Sequence, residues 1–276
     1  MNRKRKKIHI LYTVLVIVLM MLMGCAKQEQ DATNEIEVGE SDLEYVKSKG
    51  TLIVGITDFA PMNYRDGDEW TGFDADLTKS FAESIGVMVQ FEEINWNQKA
   101  ELLRNGSIDC IWNGMTRTEE LQETISCSNP YLSNAQVIVL RSSEMGQYST
   151  AESCQHLLFA VEEGSTGEKL LQQMRYRFIS YPTQIEALQS VHDKKADAAV
   201  IDIIMASYYT GNSKEFADLG FDISLNDEVF SVGLRRNSDI TGELNTFLKN
   251  AYEDGTIEML AEKYGIESAV LDFADK

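Results

Sequence analysis

The six-residue run "TLIVGI" at 51–56 is rich in β-formers, and in the segment after it Leu77, Phe81 and Ile85 recur every four positions before a stop at Gly86. "VMVQFEEI" is again strand-like, "NQKAELLRNG" is helical and "SIDCIWNG" is a third strand. A β-α-β-α-β order admits few architectures, because strands joined by helical crossovers run parallel and a parallel sheet needs helices over its faces. After "SNPYLSN" the alternation begins anew. "AQVIVLR", "HLLFAVEEGSTGEKLLQQM" and "RFISYPTQIEALQSVHDKKADAAVIDIIMASYY" supply strands with helices or return strands, and "VFSVGLRR" closes the series. The sequence therefore predicts an α/β protein of two similar lobes, each a sheet flanked by helices. Lobe 1 is expected from residues 49–132 plus 231–276 and lobe 2 from 133–230, with two crossover segments at Tyr131 to Ala135 and Asn226 to Phe230. Two amphipathic helices, "DITGELNTFLKNAYEDG" and "TIEMLAEKYG", end the chain, each at a glycine. No repeat of solenoid period interrupts this order.

Ahead of the lobes stands "MNRKRKK", a cationic start, followed by an apolar run from Ile8 to Met23 that has the length of a signal peptide. The run is short for a bilayer about 30 Å thick. It stops at "LMGC", which resembles the lipobox of bacterial lipoproteins. That resemblance implies that residues 1–24 are removed, that Cys25 carries diacylglycerol and that its freed amino group is acylated, for instance by palmitate. Loss of the leader removes five cations and no carboxylate, so the formal charge of −19 becomes −24. Such a surface repels nucleic acid and anionic headgroups and argues against both as partners. "AKQEQDATNEIEVGES" is polar and acidic and reads as the start of a tether, with residues 25–48 linking lipid to lobes. A flexible 16-residue stretch spans roughly 22 Å.

Reactive groups are few. The mature chain has His156 and His192; His156 follows Cys154 by two residues, a weak metal spacing that no other cluster of ligands supports. His192 lies beside Asp193 near a helix end, where a solvated or dipole-complementing role is expected. Cys110, Cys127 and Cys154 form an odd set without Cys-x-x-Cys spacing and are expected as buried thiols. "EGSTGE" matches neither the nucleophile elbow of hydrolases nor a phosphate loop. Its Ser165 and Thr166, with the free amides of the helix that follows, could cradle a carboxylate or other polar ligand, or simply cap that helix.

In order along the chain, "GFDADL" (72–77), "NGMT" (113–116), "GSTGE" (164–168), "KADAAVID" (195–202) and "EDGTIEMLAEKYG" resemble extracellular solute-binding proteins of the polar amino-acid type, the binding components of ABC importers. The resemblance covers about Thr51 to Gly265. It implies a type II periplasmic-binding-protein clamp, monomeric and without cofactor or metal, that closes on a small polar ligand, an amino acid or a close relative, and docks on a membrane permease. It places the protein outside the cytoplasm, held to the cell membrane by Cys25. Phe59 and Trp96 match the family's aromatic walls, and Asp202 matches the carboxylate that holds the ligand's ammonium group. Asn113, Gly114 and Thr116 would offer backbone and hydroxyl groups from the opposite lobe. The family's carboxylate-binding arginine falls at Leu121 here. Three possibilities follow: Arg117 takes its place, or Thr116, Ser165 and amide groups hold the carboxylate, or the guest is not a free α-amino acid. Rival readings are a dehydratase of cyclic amino-acid precursors on the same fold, with Glu162, Glu163 or Asp202 as acid or base, and a sensor that signals without transport.

Overall fold

The computed structural model describes residues 41–212 and 214–271, and the leader and Cys25 lie outside them. The first helix, α1 (Asp42–Lys49), occupies the stretch expected to end the tether. Ser41 caps it by accepting from the Glu44 amide at 3.0 Å, Val46 is fully buried, and Asp42 pairs with the buried Arg235 at 3.0 Å. The expected tether at 25–48 thus runs too far, because residues 42–48 are tied into the fold. So short and polar a segment carries no visible periodicity, and tertiary contacts decide its conformation.

The first half contains β1 (Thr51–Ile56), the hairpin β2 (Tyr64–Asp66) and β3 (Glu69–Thr71), then α2 (Phe73–Ser84) and β4 (Met88–Glu93). It continues with α3 (Lys99–Arg104), β5 (Cys110–Ile111), α4 (Glu119–Thr124) and β6 (Ser126–Cys127). After β7 (Leu132–Asn134) the second half runs β8 (Gln136–Arg141), β9 (Leu158–Glu162), α5 (Thr166–Met174), β10 (Arg177–Tyr181), α6 (Gln184–His192), β11 (Ala198–Asp202), α7 (Ile203–Tyr209) and β12 (Leu219–Ser224). The chain returns through β13 (Glu228–Phe230) and β14 (Gly233–Leu234) to α8 (Ile240–Glu253) and α9 (Thr256–Tyr264).

Two five-stranded sheets result, ordered β4-β1-β5-β14-β6 and β10-β9-β11-β8-β12. In each, three parallel strands are followed by an antiparallel strand that arrives from the other half, β14 in the first and β8 in the second. The two halves therefore share one topology. β7 and β13 pair antiparallel between them, with Leu132 opposite Phe230.

Burial follows the apolar spacing. Leu77 and Phe81 of α2 are buried against the first sheet, and Ile240, Leu244, Leu248 and Ala251 form the buried stripe of α8. All five residues of β11 are buried, as a parallel strand covered on both faces requires. Cys110 and Cys154 are buried thiols, whereas Cys127 is half-buried, and none of the three is bridged. Among the described residues no helix is long and apolar enough to cross a membrane.

Candidate functional site

A cleft lies between the two sheets, lined from both halves by the segments that follow the carboxyl ends of the parallel strands. This is where open α/β sheets place ligands, since the loops there leave amides and side chains unpaired by the ladder. Thr57 and Phe59 follow β1, Trp96 and Lys99 follow β4, and Gly114 and Thr116 follow β5. Opposite them stand Glu162, Ser165 and Thr166 at the end of β9, Gln184 after β10 and Asp202 at the end of β11. The space between the cleft walls is ≈ 610 Å³ and opens to solvent. Polar contacts draw the halves together. Asn97 Nδ2 donates to Glu163 at 3.3 Å, Lys99 Nζ donates to the Gly164 carbonyl at 3.0 Å, and Lys169 pairs with Glu120 at 2.5 Å, all across the gap.

Asp202 stands at the N-cap of α7 yet makes no side-chain cap. Its carboxylate instead accepts from Gln136 Nε2 at 2.8 Å and from the side-chain amides of Asn134 and Gln184, while its own N–H donates to Gln184 Oε1 at 2.9 Å. Glu228, on the returning crossover, shares the same amides, at 3.0 Å from Asn134 Nδ2 and 3.1 Å from Gln136 Nε2. Burial and the neighbouring Glu228 push Asp202 up, and the three amide donors pull it back. Glu162 beside it is raised to about 8, first by burial and then by Asp202. Carboxyl groups thus crowd one wall of the cleft, and a cation placed there favours their ionised forms.

The turn after β5 is fixed from within its own half. Asn113 Oδ1 accepts from Thr57 N–H at 3.0 Å and from Asn63 at 2.8 Å, and its Nδ2 donates to the Thr57 hydroxyl at 2.7 Å. Gly114 takes φ +53°, and a Cβ there would stand 2.4 Å from the Phe59 ring. Its amide donates to Asp74 at 2.7 Å, and the Tyr131 hydroxyl donates to the same carboxylate at 2.8 Å. The Asn113 side chain and the Gly114 N–H are therefore hydrogen-bonded within their own half. Thr116 donates to Glu228 at 2.8 Å, and Ser165 caps α5 by accepting from the Glu168 amide at 3.1 Å. Phe59 meets Phe230 edge-on with centroids 6.3 Å apart, and Trp96 is 8 % exposed at the cleft wall.

Arg117 is placed elsewhere. It is exposed, its guanidinium lies 3.0 Å from the Gln122 amide, and it borders a neighbouring depression with Asn226 and Asp227, while Leu121 does line the cleft. Thr116 and Arg117 both pair with the returning strand, Thr116 opposite Phe230 and Arg117 N–H donating to the Val229 carbonyl at 3.0 Å, so successive side chains there leave on opposite sides. Arg117→Ala is accordingly expected to leave solute affinity within about two-fold by calorimetry, the usual scale for an exposed side chain.

Asp74, Gln136, Gln184, Glu228 and Lys99 escaped the sequence reading as site residues. Asp74 sat inside "GFDADL", a quoted motif, and Glu228 inside an expected crossover, but the role of each depends on a partner 40 to 112 positions away. His192 ends α6 at the surface with Nδ1 2.8 Å from Asp218. His156 packs 5.8 Å from the Tyr148 ring, and no group of three metal-ligating side chains occurs among the described residues.

Burial raises Asp74 to about 7 and Glu162 to about 8, against 3.8 and 4.5 for the free groups. The folded chain therefore binds protons that the unfolded chain has released. The resulting stabilisation is complete below about pH 4 and fades as pH rises through 7 to 8. Urea midpoints are expected to be higher at pH 5.5 than at pH 8.5, and Asp74→Asn should flatten that slope, since a neutral amide has no proton to lose.

Residues 52–267 match the profile of the bacterial extracellular solute-binding proteins, family 3. An arginine-binding extracellular protein of Bacillus subtilis is 24 % identical over 232 residues, covering 82 % of this chain and 90 % of that protein. The cyclohexadienyl dehydratase of Pseudomonas aeruginosa is 26 % identical over 181 residues, covering 63 % of this chain and 68 % of the enzyme. Among solved structures, an ABC uptake transporter substrate-binding protein of Streptococcus pneumoniae with bound histidine superposes with a TM-score of 0.78 at 27 % identity, over 84 % of this chain and 99 % of that one.

Proposed function

The chain belongs to the bacterial extracellular solute-binding proteins, family 3, and from that premise we propose that it captures one amino acid between its two halves and delivers it, unaltered, to an ABC importer. The observation that carries this reading is Asp202. Its buried carboxylate forgoes the helix cap it is placed to make and is held by three side-chain amides at the wall of the cleft. An anion so oriented costs desolvation and gives a cation a fixed partner. The guest's ammonium group binds there, and its side chain lies against Phe59 and Trp96. Contacts to both halves exist only when the cleft is closed, so the solute shifts the open-closed equilibrium, and the permease reads the closed form. Cys25, which lies outside the described residues, holds the protein outside the cytoplasm by its lipid.

A second reading has a specific observation in its favour. Glu162, raised to about 8 at the cleft, is a protonated carboxyl at neutral pH and has the form of a general acid, as a dehydratase needs. One screen separates the two. A solute that binds only the folded protein raises its thermal midpoint. The transport reading expects a rise with at least one of the twenty L-amino acids or L-cystine, and no product from prephenate or arogenate. Turnover of either acid without an amino-acid shift reverses the assignment.

A further inference from the structure

The ionisable groups lining the cleft are three carboxyls, Asp58, Glu162 and Asp202, and two amines, Lys99 and Lys169. The two amines differ. Lys169 is 38 % exposed and paired with Glu120, whereas Lys99 is 8 % exposed and meets no carboxylate at ion-pair distance among the described residues. Its ammonium donates to the carbonyls of Trp96 at 3.1 Å and Gly164 at 3.0 Å and stands 4.5 Å from the centre of the Trp96 ring. Two neutral carbonyls engage two of its three N–H donors. A charge buried with so little compensation is a poor structural element, since an apolar side chain of the same length would fill the place at lower cost. Its position is that of a waiting partner. Lys99 follows β4 in the first half, Asp202 ends β11 in the second, and Glu162 feels both charges.

We propose that Lys99 is a specificity-determining residue that binds the carboxylate of the captured solute through its free N–H, opposite the ammonium group at Asp202. This rests on the amino-acid reading above and deepens it. The cleft then presents a cation from one half and an anion from the other, and a zwitterion bridges them. A solute lacking either charge fails to span the gap. Burial depresses Lys99 to about 8, and an anion beside it restores the charged form. Neither Leu121, which is apolar, nor Arg117, which lies outside the cleft, supplies a cation there.

The test is calorimetric titration of the purified protein with the tightest binder among the twenty L-amino acids and L-cystine, and with the α-amide of that same amino acid. The wild type is expected to prefer the free acid by about 30-fold or more, the scale for truncating one partner of a buried charged contact. Lys99→Met should lose at least that factor for the acid, with the acid-to-amide ratio falling below about 3, while Lys99→Arg should keep a preference of about 10-fold or more. Lys99→Gln serves as a second neutral variant should Met not fold, and thermal midpoints report folding of each. An undiminished acid preference in the neutral variants overturns the role of Lys99 and leaves the amino-acid reading standing. Tighter binding by Lys99→Met also overturns it, by showing that the amine occupies the guest's place. Failure of the wild type to bind any of these amino acids overturns that reading and the role of Lys99 with it.

Discussion

Asp202→Asn is expected to weaken amino-acid binding by about 30-fold to several thousand-fold, since truncating one partner of a buried charged contact costs about 2–5 kcal/mol. The fold should survive the change. Asp202 caps no helix by its side chain, its β11 backbone pairing with Gln136 is independent of the side chain, and burial already works against its charge. An amide of the same shape removes that charge but leaves Asn134, Gln136 and Gln184 facing one N–H₂ group where two acceptor oxygens stood. The expected signature is a large loss of affinity in calorimetric titration with a thermal midpoint changed by only a few degrees. Affinity equal to that of the wild type would remove Asp202 from the site.

Gly164→Ala is expected to weaken binding by about 10- to 100-fold for a different reason. Gly164 has φ +73°, a region that costs an L-residue about 1–2 kcal/mol, and a Cβ there would stand 2.8 Å from both Cα and Oδ1 of Asn97. Asn97 belongs to the first half and Gly164 to the second, so the collision arises as the cleft shuts. The backbone strain appears as a lower thermal midpoint, roughly 2–4 °C per kcal/mol for a chain of this size. The collision itself appears only in affinity. Asn97→Gly in the same chain clears Cβ and Oδ1 but leaves Cα, so it should restore part of the affinity and none of the midpoint. A double-mutant cycle with no coupling between 97 and 164 would place the effect of Gly164 elsewhere.

The architecture was legible because its signals are local. The strand at 51–56, the Leu77 and Phe81 stripe of α2 and the continuous apolar run of β11 each declare their period within a few residues. What escaped was short or polar: α1, whose place depends on Asp42 reaching Arg235 across 193 positions, and the three-residue strands of the β2–β3 hairpin. In the candidate site the motif residues Phe59, Trp96, Thr116, Ser165 and Asp202 gather at one cleft, while Arg117 does not. Sequence spacing gave no sign of Lys99. Nothing in "NWNQKAELL" tells a buried lysine from a solvated one, since that depends on Gly164 approaching from the other half.

In the proposed function the cleft between the halves holds an amino acid and does not transform it. A crystal structure of the protein with its tightest-binding amino acid tests it most directly. Intact amino-acid density is expected between the two sheets, with its ammonium nitrogen within hydrogen-bond distance of Asp202 and its side chain against Phe59 or Trp96. Density for a reaction product, or a guest bound away from Asp202, would contradict it.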